Sequence, residues 1–164
     1  MKRPLILAIG TMFLLSWIGE MPSILKLMQI PSGILASLFL GAPFVIEDSS
    51  VHILVHPLLE VTTQCSGITL FSFLTGIGAG YWCGKSVRKW IALLPLTYLI
   101  ALLGNAARIS MAWQFRRLTE GHLPDWAQEY AHMSIGIICS LTITAAVLYF
   151  IHFKSTTQSK EITS

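Results

Sequence analysis

Long apolar runs separated by short polar clusters dominate this chain, and that pattern narrows its fold to one class. Five runs can be traced: Pro4 to Ile18, Leu27 to Ile46 with Pro31 near its start, Ser66 to Cys83, Trp90 to Ala107, and Met133 to Ile151. Crossing the hydrocarbon layer takes about 20 apolar residues, with about 17 as the lower limit. The second to fifth runs meet that requirement and the first is marginal. Any single run could be a core helix of a soluble protein, but four or five of them in 164 residues leave no room for a soluble fold. Charged residues make up only 12% of the chain, against roughly 25% in an average soluble domain. The expectation is a single integral membrane domain over residues 1–164, an all-α bundle of about five transmembrane helices. Residues 152–164 read as a flexible tail with no helix pattern.

The polar clusters indicate sidedness. Lys85-Ser86-Val87-Arg88-Lys89 is the densest short basic loop and, by the positive-inside tendency, is expected in the cytoplasm together with Lys154 and Lys160 of the tail. The connections Glu47 to Cys65 and Arg108 to His132 then face outward, with Trp113 and Trp126 as interfacial aromatics in the second of them. Met1-Lys2-Arg3 followed by an apolar stretch is signal-like, but no Ala-x-Ala site follows, which favours an uncleaved anchor or a short span. Two spans ahead of an outward Glu47–Cys65 connection would put that basic start outside, against the tendency, whereas one would put it inside. Both readings stay open. Gly76, Gly80 and Gly84 recur every fourth residue and share one helix face, the small-residue pattern by which membrane helices approach closely.

The formal net charge is only +3, and no basic stripe with interleaved aromatics points to nucleic acid. Three cysteines are too few and too scattered for a disulfide framework, and no CxxC pair or Cys/His zinc spacing occurs. His52 and His56 have the i,i+4 spacing that would aim both rings the same way on a helix. With Cys65 and a carboxylate such as Glu60 they could bind zinc, but no HExxH is present, and an amphipathic interfacial helix is the plainer reading. The expectation is a site without metal or cofactor.

Three side chains converge on one membrane level. Cys65 stands at the outer start of the third run, Arg108 at the outer end of the fourth and His132 at the outer start of the fifth. A thiolate attacks an acyl carbon where a thiol does not, and a helix N-terminus with a nearby guanidinium favours the thiolate. His132 could take the thiol proton and return it to the leaving amine. Arg108 stays protonated, which suits it to holding an oxyanion. Each residue alone has a plainer role: a membrane cysteine packs, as expected for Cys83 and Cys139, an arginine anchors and a loop histidine is solvated. Convergence puts the catalytic reading on equal terms with those. Arg116 and Arg117 are headgroup anchors or, more sharply, binders of an acidic residue in a substrate.

The residues around these three carry a resemblance. Cys65-Ser66-Gly67, Asn105-Ala106-Ala107-Arg108-Ile109 and His132-Met133-Ser134-Ile135-Gly136 follow in order the C-[SA]-G, N-x-x-R and H-x-x-x-G motifs of the exosortase/archaeosortase family. The resemblance covers Gln64 to Gly136, and because many members are longer, the chain is similar to a short form such as the exosortase K group. It implies a cysteine peptidase or transpeptidase in the cytoplasmic membrane, its site facing outward. The implied substrates are secreted proteins ending in a recognition motif, a transmembrane helix and a basic tail. By carry-over Cys65 is the nucleophile, Arg108 stabilises charge and His132 is the acid/base. Asn105, three residues before Arg108 on the same helix face, would orient the guanidinium or meet substrate. The competing expectation is a non-catalytic membrane subunit whose polar residues bind a partner helix.

Overall fold

The structure, a computed structural model, describes residues 2–47, 50–62, 65–81 and 87–161. Cys83, Gly84 and Lys85, which the sequence reading singled out, lie outside the described residues. Five helices form, in the order α1 (Lys2–Gly19), α2 (Pro22–Leu40), α3 (Ile68–Tyr81), α4 (Val87–Thr119) and α5 (Asp125–Glu161). Between α2 and α3 the chain builds three short strands, β1 (Phe44–Glu47), β2 (Ser50–Ile53) and β3 (Leu59–Val61). The expected all-α membrane bundle is therefore present, with a small sheet added in one connection. Among the described residues three stretches are long and apolar enough to cross a membrane: Pro22–Leu40, Ala92–Thr119 and Trp126–Phe150. Among the described residues of the third run, α3 keeps 14, about 21 Å of helix.

Helix ends differ from the apolar runs for local reasons. The second run was expected to continue to Ile46, but Gly41 adopts φ 62°, its N–H donates to the Leu38 carbonyl and the Ala42 N–H to the Ser37 carbonyl, which closes α2 at Leu40. Residues 44–46 enter β1 instead. The connection Arg108 to His132, expected as an outer loop, is largely helical. Nothing between Arg108 and Thr119 breaks a helix, and the face of Ile109, Ala112 and Trp113 is buried, so α4 continues until the turn at Gly121, φ 77°. Arg116 and Arg117 fall in its last turn, where positive charge suits the helix dipole. At the far end α5 runs on to Glu161, where a tail without helix was expected. Extending a formed helix costs far less than starting one, and residues 152–161 contain no Gly or Pro.

Glycines set the packing of α1 on α3. A Cβ added at Gly76 would lie 2.8 Å from the Ala8 carbonyl oxygen, and one at Gly80 would lie 3.0 Å from the Pro4 carbonyl oxygen. At the other end Gly19 abuts the Ile68 side chain. The two helices thus run antiparallel, with the chain's start beside the end of α3 and Gly19 beside its first turn. The sheet, joined to that first turn through Cys65, lies at the opposite end of the bundle from the chain's basic start.

The sheet is antiparallel in the order β1-β2-β3. Val51, Ile53 and Val61 turn inward and form a core with Ala36 of α2 and Ala106 and Ile109 of α4. Gly33 of α2 permits the close approach, since an added Cβ would lie 2.7 Å from Val51 Cβ. Gln29 donates from Nε2 to the Val61 carbonyl at 2.7 Å, and the Trp113 indole donates to the Pro57 carbonyl at 2.9 Å. α2 therefore starts beside the first turn of α3 and ends against the sheet. Most of α5 shows apolar side chains to the outside, with Ile137, Ile138 and Leu141 all exposed, as a lipid-facing helix requires.

The α1–α3 contact predicts a sign difference between two glycine substitutions. Gly76→Ala forces apart two backbones and should lower stability by about 1–3 kcal/mol. Gly10→Ala, where nothing lies within 4 Å, should be neutral or stabilising by up to about 1 kcal/mol through helix propensity. Thermal unfolding in detergent micelles measures both, and equal effects would remove the close-packing account.

Candidate active site

The turn before α3 is held from both sides. The Cys65 N–H donates to the Thr62 carbonyl at 2.9 Å, and the Gly67 carbonyl accepts the first bond of α3 from Phe71 at 3.1 Å. Ser66 Oγ accepts from the Ile68 N–H at 3.4 Å, a weak cap on the helix start. Gly67 has φ 75°, a conformation that L side chains avoid. Asn105 of α4, only 2% exposed, donates through Nδ2 to the Cys65 carbonyl. A Cβ added at Gly67 would lie 2.8 Å from Asn105 Cγ. Glycine is needed at this position twice over, for its backbone angle and for the room it leaves to Asn105.

Arg108 lies one turn beyond Asn105. Its partner surface is Gly136 of α5, where an added Cβ would stand 3.4 Å from Arg108 Nη1 and 3.5 Å from Cδ. The arginine stem thus runs over bare α5 backbone at the distance of an ordinary van der Waals contact. Arg108 Nε is buried without a hydrogen-bond partner. A buried charged donor without an acceptor carries a desolvation cost. His132 lies one turn before Gly136 on the same face of α5, and both Arg108 and Arg116 are close enough for their charges to act on its ring.

Two cavities flank the turn. The larger, about 630 Å³, is lined by Cys65 and His132 together with Glu60, Thr62, Trp113, Arg116, Gln128 and Glu129 among others. The smaller, about 230 Å³, is lined by Ser66, Gly67, Asn105 and Arg108 with Cys139 and Ser140 of α5. Cys65 is half-buried and unpaired, resting on the core formed by the sheet, α2 and α4. The structure therefore brings Cys65, His132 and Arg116 to one cavity. It sets Asn105 and Arg108 on the other side of the same turn. Arg117 lies apart, its guanidinium 5.5 Å above the Trp113 ring, a cation–π contact.

Several expectations about placement change. Arg108 sits inside α4 rather than at its end, and His132 sits inside α5 rather than at its start. Trp113 is a buried helix residue bonded to Pro57, not a loop aromatic. Trp126 is exposed and meets Tyr130 edge-on at 6.3 Å. His52 lies in β2 opposite Val45 and Glu60, and His56 lies between strands, so the two share no helix face. Among the described residues no group of three His, Cys, Asp or Glu side chains could hold a metal. Thr62, Gln128 and Glu129 line the larger cavity without any motif to mark them, and only the fold brings them there.

A family model described as transmembrane exosortase matches residues 2–149. The match is made at the level of the family and does not extend to the exosortase K subgroup. No curated protein and no solved structure matches the chain.

The Asn105 bond makes a testable claim about the turn. Asn105→Ala should cost about 1–3 kcal/mol by leaving a buried carbonyl unpaired. Asn105→Asp keeps the shape but presents oxygen to oxygen, so it should be at least as damaging. Unfolding in micelles reads the loss, and faster alkylation of Cys65 should accompany it. Wild-type stability in the Asp variant would show that the bond does not hold the turn.

Proposed function

The chain belongs to the transmembrane exosortase family, a family of membrane proteases and transpeptidases of sorting signals, and from that premise we propose a cysteine mechanism centred on Cys65. The observation that carries this reading is the shared cavity of Cys65 and His132, with Arg108 on the other side of the same turn. His132 takes the Cys65 thiol proton, and the thiolate attacks the scissile carbonyl of the substrate. The carbonyl π pair moves onto oxygen, and the Arg108 guanidinium, across the Cys65 turn but near enough for its charge to act on His132, stabilises that charge. As the tetrahedral species collapses, the C–N bond breaks, and His132 returns its proton to the leaving amine. A thioester remains on Cys65. Water or an amine acceptor then attacks it, and the thiol is restored.

The substrates proposed are secreted proteins that end in a recognition motif, a transmembrane helix and a basic tail. Cleavage before that helix frees the protein from its anchor. The basic tail of such a substrate stays in the cytoplasm, so the site faces outward from the cytoplasmic membrane. That orientation also places the basic start of α1 inside. In this reading Asn105 positions the nucleophile's turn. Arg116, on the cavity, is placed to meet an acidic group of the signal, whereas Arg117 braces Trp113. The scheme uses no cofactor.

Two variants test the mechanism on a co-expressed secreted reporter that carries such a signal. Cys65→Ala should abolish processing and leave full-length reporter in the membrane, while Cys83→Ala and Cys139→Ala process normally. Undiminished cleavage by the Cys65 variant would remove the cysteine mechanism and favour a subunit that only binds its partner.

Arg108→Lys keeps the charge and loses the planar donor fork. Its cleavage rate at matched abundance should fall about a hundredfold, roughly 3 kcal/mol. A near-normal rate would reduce Arg108 to an anchor.

A further inference from the structure

The free edge of β3 opens on the cavity that holds Cys65 and His132, and the ladder geometry shows which backbone groups it offers. The Leu54 N–H donates to the Pro43 carbonyl at 2.8 Å, one step beyond the pair Phe44↔Ile53. Directly bonded pairs alternate with unbonded ones in an antiparallel ladder. Residues 43, 45 and 47 therefore bond to 54, 52 and 50, and Val51 and Ile53 turn their N–H and C=O groups toward β3. Their partners there are Val61 and Leu59. Glu60, between those two, points its own N–H and C=O away from β2, toward the open edge. Extending the alternation puts Leu58 and Thr62 in the same orientation, and Leu58, Glu60 and Thr62 all line the larger cavity. The edge leads directly into the nucleophile's turn, because the Thr62 carbonyl accepts from the Cys65 N–H.

We propose that the substrate polypeptide binds in extended form as a fourth strand on the open edge of β3, which delivers its scissile bond to Cys65 and His132. A chain being cleaved cannot satisfy its backbone groups by its own helix, and leaving them bare in a partly dry cavity is costly. Glu60 supplies one donor and one acceptor where they are needed, in the manner of strand addition to a sheet edge. Trp113 and His132 line the same cavity, and 630 Å³ falls within the usual range for a ligand pocket, about 300–1,000 Å³. The occupant is the stretch just ahead of the substrate's transmembrane helix. This inference rests on the sorting-peptidase reading.

Proline at an outward-pointing strand position removes the edge N–H and leaves the ladder to the inner strand intact. Glu60→Pro should therefore lower kcat/KM for the co-expressed reporter by about tenfold or more, chiefly through KM. Ile46→Pro is the matching control on the far edge of the sheet, outside the cavity, and should process normally. Glu60→Ala keeps the amide and should lose far less than the proline variant. Cleavage by Glu60→Pro equal to that of the parent would overturn the strand proposal and leave the peptidase reading intact. If the parent chain and Cys65→Ala behave alike, the peptidase reading falls and takes this proposal with it.

A second measurement does not depend on the proline variant folding. In a chain with all three native cysteines replaced by alanine, Glu60→Cys is oxidised against single-cysteine reporters. Disulfides should form with every second reporter position. A repeat of three or four, or no cross-link at all, would rule out strand addition.

Discussion

One buried amide organises the candidate site. Asn105 reaches from α4 to the Cys65 carbonyl, and it can do so only because Gly67 has no side chain. That bond joins two elements that are remote in sequence and fixes the depth at which α3 begins relative to α4. Arg108, one turn further along, inherits its place from the same helix. The thiol and the guanidinium are therefore set relative to each other by backbone and by a short amide side chain. A long flexible tether between them would lose more rotamer entropy.

The second constraint is the sheet. Apolar helices in lipid satisfy their own backbone, but a non-helical connection such as the one that leads to Cys65 needs support from outside itself. The three strands provide it. Their inward residues pack on small side chains of α2 and α4, while Gln29 and Trp113 take backbone carbonyls at Val61 and Pro57. Cys65 then rests on a packed core. The extension of α4 past Arg108 serves the same end, since it carries the Trp113 that holds the sheet and the Arg116 that reaches the cavity.

Glycine has several distinct jobs here. Gly76 and Gly80 let α1 lie against α3, so a marginally long first helix gains contact area within the bundle. Gly136 clears a path over α5 for the Arg108 stem. Gly41 ends α2 so that the chain can turn into a strand. The same residue type recurs, and the reason differs with the neighbour.

The sequence by itself determined the class of the fold and nominated the residues of the candidate site. Apolar runs and scarce charge dictate membrane helices, since burial in lipid depends on composition more than on partners. Cys65, Asn105, Arg108 and His132 were legible because they stand in ordered short motifs. The sheet was not legible, because the apolar residues Phe44 to Ile46 have no helical or strand period long enough to read, and they become a strand by pairing with β2, which itself packs through Val51 and Ile53 on Gly33 and Ala36. The length of α4 beyond Ala107 was hidden for a like reason: mixed polar residues look like a loop until one face finds Ile109, Ala112 and Trp113 a core. Cavity membership for Thr62, Gln128 and Glu129, and the division of Arg116 from Arg117, were decided by tertiary structure alone. Contacts between residues far apart in the chain leave no local periodicity, so nothing in the order of the amino acids announces them.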